Sequence, residues 1–234
     1  MNKTARRLMI LAASIVSIIN ASAQSRQGTG VAINPDGDII TNRHIVQNSC
    51  GILTVEDLSG NRWRAEIRKV SRRHDLALLR SSRRGAFAYI RVNDSQEKII
   101  DPTANESVHI VGFPGGEFAP RGGFVKTLKD PLHGNDGFSV GLQSTYGGSG
   151  SPVFDEGGLL IGLLWGGARD VDSLTVYALK ASAFKEILSE VRVGTASRAQ
   201  SPVPVTARRN AYEQAMEVGA TGASSVLRVI CTNP

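Results

Sequence analysis

Three side chains that are unremarkable singly and reactive in combination punctuate the sequence. They are His44 in Thr41-Asn42-Arg43-His44-Ile45-Val46, Asp75 in His74-Asp75-Leu76-Ala77-Leu78-Leu79, and Ser149 in Gly147-Gly148-Ser149-Gly150-Ser151-Pro152-Val153-Phe154. A serine hydroxyl becomes an effective nucleophile when a neighbouring base removes its proton. An imidazole, with an ordinary pKa near ~6.5, can take that proton and hand it to a leaving amine. A carboxylate on the other ring nitrogen holds one tautomer and stabilises the imidazolium. Small residues around Ser149 let backbone approach a substrate carbonyl, so the N–H groups of Gly147 and Ser149 can face an oxyanion. In comparable sites one such donor contributes about 2.7–4 kcal/mol.

The order along the chain is as informative as the residue types. An α/β-hydrolase places its histidine after the nucleophile. The histidines here are His44, His74, His109 and His133, and none follows Ser149. A subtilisin arrangement runs Asp, His, Ser, but the candidate acids Asp36 and Asp38 belong to a hairpin turn. No H-E-x-x-H or related metal pattern occurs, so the expected chemistry uses no metal and no cofactor.

Positioning these groups requires a scaffold of strands. Val31-Ala32-Ile33 and Asp38-Ile39-Ile40-Thr41 flank Asn34-Pro35-Asp36-Gly37, a hairpin with its turn chemistry in place. Strand-like runs follow at 52–55, 63–67, 76–79, 107–112, 138–142, 159–165 and 175–179. Short strands at this spacing indicate an all-β barrel or sandwich. A polar stretch over 93–106 divides them into lobes of about 24–95 and 106–180. Phe184, Ile187, Leu188 and Val191 repeat at helical spacing, which predicts a helix over about 182–192. Residues 194–234 read as a Ser/Pro/Ala-rich tail with a short helix over about 211–218.

Gly28-Thr29-Gly30-Val31-Ala32-Ile33 and the segments bearing His44, Asp75 and Ser149 resemble trypsin-like serine peptidases of the chymotrypsin fold. The early segment is similar to HtrA peptidase domains. Residues 149–154, with Ile161-Gly162-Leu163-Leu164-Trp165-Gly166-Gly167, are similar to glutamyl endopeptidases. The resemblance spans about 28–188 and implies two six-stranded antiparallel β-barrels with the triad in the cleft between them, followed by a C-terminal helix. It also implies protein or peptide substrates. Gln143, Ser144 and Thr145 would form one wall of the specificity pocket and Leu164, Trp165 and Gly166 the other. With no charged residue among these six, a small or medium apolar P1 side chain is expected.

The sequence departs from these relatives in four ways. Gly148 stands where zymogen-activated relatives carry an aspartate. Leu164 replaces the histidine that helps glutamyl endopeptidases bind an acidic P1 residue. Relatives place a first barrel strand ahead of the Gly28 segment, where only residues 24–27 follow the expected leader. That strand is therefore expected to be missing or shortened, or else to retain leader residues. No PDZ module of the kind HtrA proteins carry is expected within residues 194–234, which are too few to hold one.

Residues 1–23 combine a basic start (Lys3, Arg6, Arg7), an apolar run over 8–19 and Ala21-Ser22-Ala23, the order of a secretory signal peptide. A run of twelve residues, ten of them apolar, falls short of the roughly 20 that a spanning helix needs, so the mature form is expected to have no stable membrane span. The expected destination is the periplasm or the medium. There Cys50 and Cys231 could form a bridge between tail and body, or remain two unrelated thiols.

The full chain of 234 residues has a net charge of +6. From residue 24 onward there are 24 Lys plus Arg against 21 Asp plus Glu, which leaves +3 and no charge-based case for nucleic-acid binding. Residues 62–91 concentrate ten basic residues against Glu66 and Asp75. That stretch reads as a solvated rim, or alternatively as a face for an acidic partner. The leading expectation is an exported serine endopeptidase. The alternative is a catalytically silent binding protein of the same fold. The oligomeric state is not legible in the sequence.

Overall fold

Leu76-Ala77-Leu78-Leu79 and Val31-Ala32-Ile33 are apolar at consecutive positions, the pattern of strands covered on both faces. The structure, a computed structural model, describes residues 25–47, 50–83, 101–142, 148–157, 159–168, 174–189, 191 and 225–233. Among these, twelve strands form two closed antiparallel barrels. The first contains β1 (Ser25–Ala32), β2 (Asp38–Thr41), β3 (Ile52–Glu56), β4 (Arg62–Val70), β5 (Ala77–Ser81) and β12 (Val226–Thr232), in the order β1-β12-β3-β4-β5-β2. The second contains β6 (Ser107–Gly112), β7 (Ala119–Thr127), β8 (Gly137–Gly141), β9 (Pro152–Asp155), β10 (Leu160–Gly167) and β11 (Val176–Lys180), in the order β10-β11-β8-β7-β6-β9.

The two-residue period of a strand explains why the first-lobe runs are so apolar. Ala32, Ile39, Ala77 and Leu79 point into the first barrel with Leu53, Val55, Leu227, Val229 and Cys231. Their neighbours Val31, Ile40 and Leu78 face the opposite way, where they pack with Leu76, Leu163, Leu179, Phe184 and Ile187. This second cluster joins the lobes through strands of both barrels. The second barrel has its own interior of Val108, Ile110, Val125, Phe138, Val140, Val153, Ile161, Leu164, Val176 and Ala178. Each fully buried Val, Leu, Ile or Phe side chain contributes about 1.5–3 kcal/mol, so the second cluster resists displacement of the lobes.

The C-terminal part of the chain departs from expectation. Residues 226–232, assigned from the sequence to a tail, form β12 and lie between β1 and β3. The expected deficit of one strand in the first barrel is therefore made up from the other end of the sequence. Leu227, Val229 and Cys231 alternate into the core and are fully buried, which is the physical reason the segment docks. A disulfide joins Cys231 to Cys50 across a separation of 181 residues.

Two other strands lacked a clear apolar signal. Strand β7 carries Pro120 and Gly122-Gly123, and β9 is only four residues long. Gly123 is required there, because a Cβ would lie 2.9 Å from Val140 and 3.0 Å from the Gly141 carbonyl. The helix expected over 182–192 is shorter and begins as a 3-10 turn, Ala181–Phe184, before α2 (Lys185–Leu188). The expected leader over 1–23 and the expected helix over 211–218 lie outside the described residues. Among the described residues, no helix is long and apolar enough to cross a membrane.

Candidate active site

His44 sits in α1 (Arg43–Val46), a single turn that follows β2. Ile45 and Val46 bury themselves in the first barrel and leave His44 turned outward, its side chain 46% exposed. Asp75 immediately precedes the buried run that begins at Leu76, and its side chain is 8% exposed. The carboxylate grips the histidine at two points. His44 Nδ1 lies 2.6 Å from Asp75 Oδ2, and the His44 backbone N–H donates to Asp75 Oδ1 at 2.9 Å. Asn42, fully buried, donates from its amide to the Asp75 carbonyl at 2.9 Å. This arrangement places the proton on Nδ1 and leaves Nε2 as the basic nitrogen.

Ser149 lies in a turn just before β9, and β10 and β1 fix that turn from two sides. Gly150 N–H donates to the Leu164 carbonyl at 2.7 Å, and Leu164 N–H donates to Ser151 at 2.8 Å. From the first lobe, Thr29 N–H donates to the Ser149 carbonyl at 2.7 Å. Gly28 has only backbone at this junction. A Cβ there would stand 2.2 Å from Ile45 Cδ1 and 2.9 Å from the Ser149 carbonyl, so the serine turn abuts the turn that carries His44. Gly150 has φ of 84°, the left-handed conformation that glycine adopts at no steric cost. The Ser149 hydroxyl donates to the Trp165 carbonyl at 3.5 Å.

The structure distributes the expected pocket residues unevenly. Leu164 is 5% exposed and packs into the second barrel's core. Trp165 and Gly166 are half-buried beside it, and open space surrounds the position where a Gly166 Cβ would be. Gln143, Ser144, Thr145 and the oxyanion candidate Gly147 lie outside the described residues.

Several residues that the sequence did not single out support the site. Trp165 donates its indole N–H to Asp130 at 2.9 Å and stacks on Tyr177, with ring centres 5.6 Å apart. His133 meets the indole edge-on at 5.2 Å. Burial holds the His133 imidazole below its ordinary pKa, and nearby His74 adds to this against the pull of Asp130. His74, adjacent to Asp75, is buried and bonds through Nε2 to Asp136 of the second lobe at 3.1 Å. These partners come from distant parts of the chain, so no local motif announces them.

The basic stretch is partly neutralised within the fold. Arg62 pairs with Glu56, Arg73 with Asp136, and Arg80 with Asp38, while Arg83 lies 4.7 Å above the Trp63 ring. Burial raises the Glu56 pKa, but hydrogen bonds and charge from Arg62 and Arg228 outweigh this and leave it below the ordinary value. Among the described residues, no group of three or more His, Cys, Asp or Glu side chains could hold a metal.

With this geometry in view, comparison with known proteins identifies the class. Residues 28–163, more than half of the chain, match the trypsin-like peptidase domain family, and the chain belongs to that family. It is 32% identical over 163 residues to an uncharacterized protein, y4bJ, of Sinorhizobium fredii, a match covering 67% of this chain and 24% of that one. It is 27% identical over 145 residues to a probable periplasmic serine endoprotease, DegP-like, of Bartonella henselae, covering 58% of this chain and 27% of the relative. The chain thus spans about a quarter of the length of these curated relatives. Among solved structures, the MamO protease domain from Magnetospirillum magneticum superposes with a TM-score of 0.59 at 20% identity. That match covers 69% of this chain and 94% of the other and supports the two-barrel fold.

Proposed function

We propose that the protein is an exported serine endopeptidase in which His44, Asp75 and Ser149 act as one catalytic unit. The observation that carries this reading is the doubly bonded His44–Asp75 pair, next to a serine turn that β1 of the same lobe holds. In the reaction, Ser149 Oγ turns from the Trp165 carbonyl to His44 Nε2 and attacks the scissile carbonyl as the proton passes to the imidazole. Asp75 stabilises the imidazolium. The Ser149 N–H, with that of Gly147, receives the developing oxyanion. His44 then protonates the leaving amine, and water resolves the acyl-enzyme by the same steps in reverse order.

A small or medium apolar P1 side chain fits the wall residues. Among the described residues, the carboxylate that Trp165 meets belongs to Asp130, which is already engaged by the N–H groups of Leu132 and His133 and by the indole. It therefore offers no free counter-charge to a basic P1 residue. Higher turnover of Arg or Glu peptides than of Val, Ala and Leu peptides in a fluorogenic P1 panel would contradict this preference. Export is supported by the leader pattern at 1–23 and by a disulfide suited to an oxidising compartment.

Labelling with a fluorophosphonate tests the central claim. The expected result is modification at Ser149 that disappears in Ser149→Ala and falls sharply in His44→Ala. Either substitution should remove most of a ~10⁶-fold effect on turnover, because the residues act as a unit. A folded wild-type chain that neither labels nor cleaves peptides would leave the silent binding protein as the better reading.

A further inference from the structure

We propose that Thr29 is a positioning residue for the nucleophile, and that the C-terminal strand β12 exerts control over the site by fixing Thr29. The proposal rests on the peptidase reading above and concerns what sets the rate of that site.

Thr29 is fully buried, and each of its polar groups is committed to the reacting turn or its supports. Its N–H donates to the Ser149 carbonyl at 2.7 Å. Its carbonyl accepts from Thr41 Oγ1 at 2.6 Å, and a Cβ on Gly150 would fall 1.9 Å from that carbonyl oxygen. Its hydroxyl oxygen accepts from Phe113 N–H at 3.0 Å and from Ser151 Oγ at 3.3 Å. Residues 149, 150 and 151 therefore all rest on Thr29. Such a constellation gains rate from placement within a fraction of an ångström, and a small displacement of the nucleophile is costly.

Strand β12 determines where Thr29 lies. Strand β2 pairs with β1 only over Gly30, Val31 and Ala32. Strand β12 pairs with every residue from Ser25 to Val31, Thr29 opposite Arg228. Among the described residues, the half of β1 that carries Thr29 thus has one strand neighbour. Arg228 is anchored in turn to Glu56 and to the Gly116 carbonyl, the latter at 3.1 Å. Strand β12 also meets the base side through Arg26 of β1. Arg26 contacts the His44 carbonyl at 3.4 Å and Cys231 Sγ at 3.7 Å, and Cys231 is bridged to Cys50, six residues beyond His44. Loss of β12 would leave the triad residues present but the nucleophile unplaced.

The test compares full-length Thr29→Val with Thr29→Ser, then removes the strand. The valine variant keeps the backbone bond to Ser149 but loses the hydroxyl's bonds with Ser151 and Phe113. It is expected to lose about tenfold or more in kcat with KM little changed, the scale of one such hydrogen bond or more. The serine variant, which keeps the hydroxyl, should recover most of the loss. Turnover of Thr29→Val within twofold of wild type would overturn the positioning role. For the strand, a cleavage site is engineered into residues 192–224 and cut after folding. The cut protein should keep its turnover while the disulfide is intact. Gel filtration under reducing conditions should then remove the strand and the activity together, and a synthetic peptide of residues 225–233 should restore it. Unchanged turnover after the strand has left, or no recovery with the peptide, would overturn control by β12. Failure of the peptidase reading has a separate signature: intact protein with Thr29 in place would not label at Ser149.

Discussion

His74 Nε2 lies 3.1 Å from Asp136 Oδ2, so the second lobe holds the residue adjacent to Asp75. Arg73 reaches the same oxygen at 3.0 Å. On the other flank, Ser71 Oγ donates to Glu186 at 2.6 Å and Arg72 N–H at 3.3 Å. The segment that presents Asp75 is therefore clamped between a carboxylate of the second lobe, Asp136, and one of helix α2, Glu186. The His74 hydrogen bond holds Asp136 below the usual carboxylate pKa against its partial burial, helped by the charges of Arg73, His74 and Lys180. The Ser71 hydrogen bond does the same for Glu186, with help from Arg72 N–H and the charges of His74 and Lys69.

A carboxyl whose pKa is lowered by folding stabilises the folded state above its unfolded pKa, and that contribution is lost as pH falls through the folded value. Asp136→Asn and Glu186→Gln are accordingly expected to lower the thermal midpoint near neutral pH. The gap from wild type should close as pH drops below the ordinary carboxylate range. Unfolding curves recorded across that range check this, and a gap of constant size would show that carboxylate charge is not responsible.

Asp75→Asn keeps the shape of the side chain but offers the histidine an amide in place of a carboxylate. Turnover is expected to fall about 10⁴-fold with the fold retained, because the imidazole then adopts the wrong tautomer. Peptide turnover and near-ultraviolet circular dichroism, measured on one preparation, separate lost chemistry from lost structure.

Reduction of the Cys50–Cys231 bridge frees a loop of 181 residues in the unfolded chain. The expected loss of stability is about 2–5 kcal/mol. It should appear as a lower urea midpoint in reduced protein and in the Cys50→Ser, Cys231→Ser double variant. Equal midpoints with and without reductant would argue against a stabilising bridge.

Gly150→Ala places a methyl 1.9 Å from the Thr29 carbonyl at a residue with φ of 84°. The backbone conformation alone costs a non-glycine residue about 1–3 kcal/mol. Ser149 labelling should become much slower, and the unfolding midpoint should fall. Wild-type labelling in this variant would mean that the turn can shift without harm to the nucleophile.

Short apolar runs and glycine-rich turns are local patterns, so the sequence carried an all-β barrel or sandwich and the order His44, Asp75, Ser149, while the two-barrel form came from the resemblance to trypsin-like peptidases. Strand β12 was missed, although Leu227, Val229 and Cys231, which point into the core, are apolar at every second position. The surrounding Ser, Pro and Ala residues of the C-terminal region masked it, and nothing in the segment says which strands it joins. Strand β7 stayed hidden because Pro120 and two glycines break the apolar pattern, and β9 because it is only four residues long.

What the amino-acid order settled was which reactive groups exist and which rival arrangements they exclude. Only the folded chain decided that Thr29 supports Ser149, that Asp136 reaches His74, and that residues 226–232 close the barrel bearing His44. These contacts join residues from 62 to about 200 positions apart, where strand register and close packing, not local propensity, select the partner.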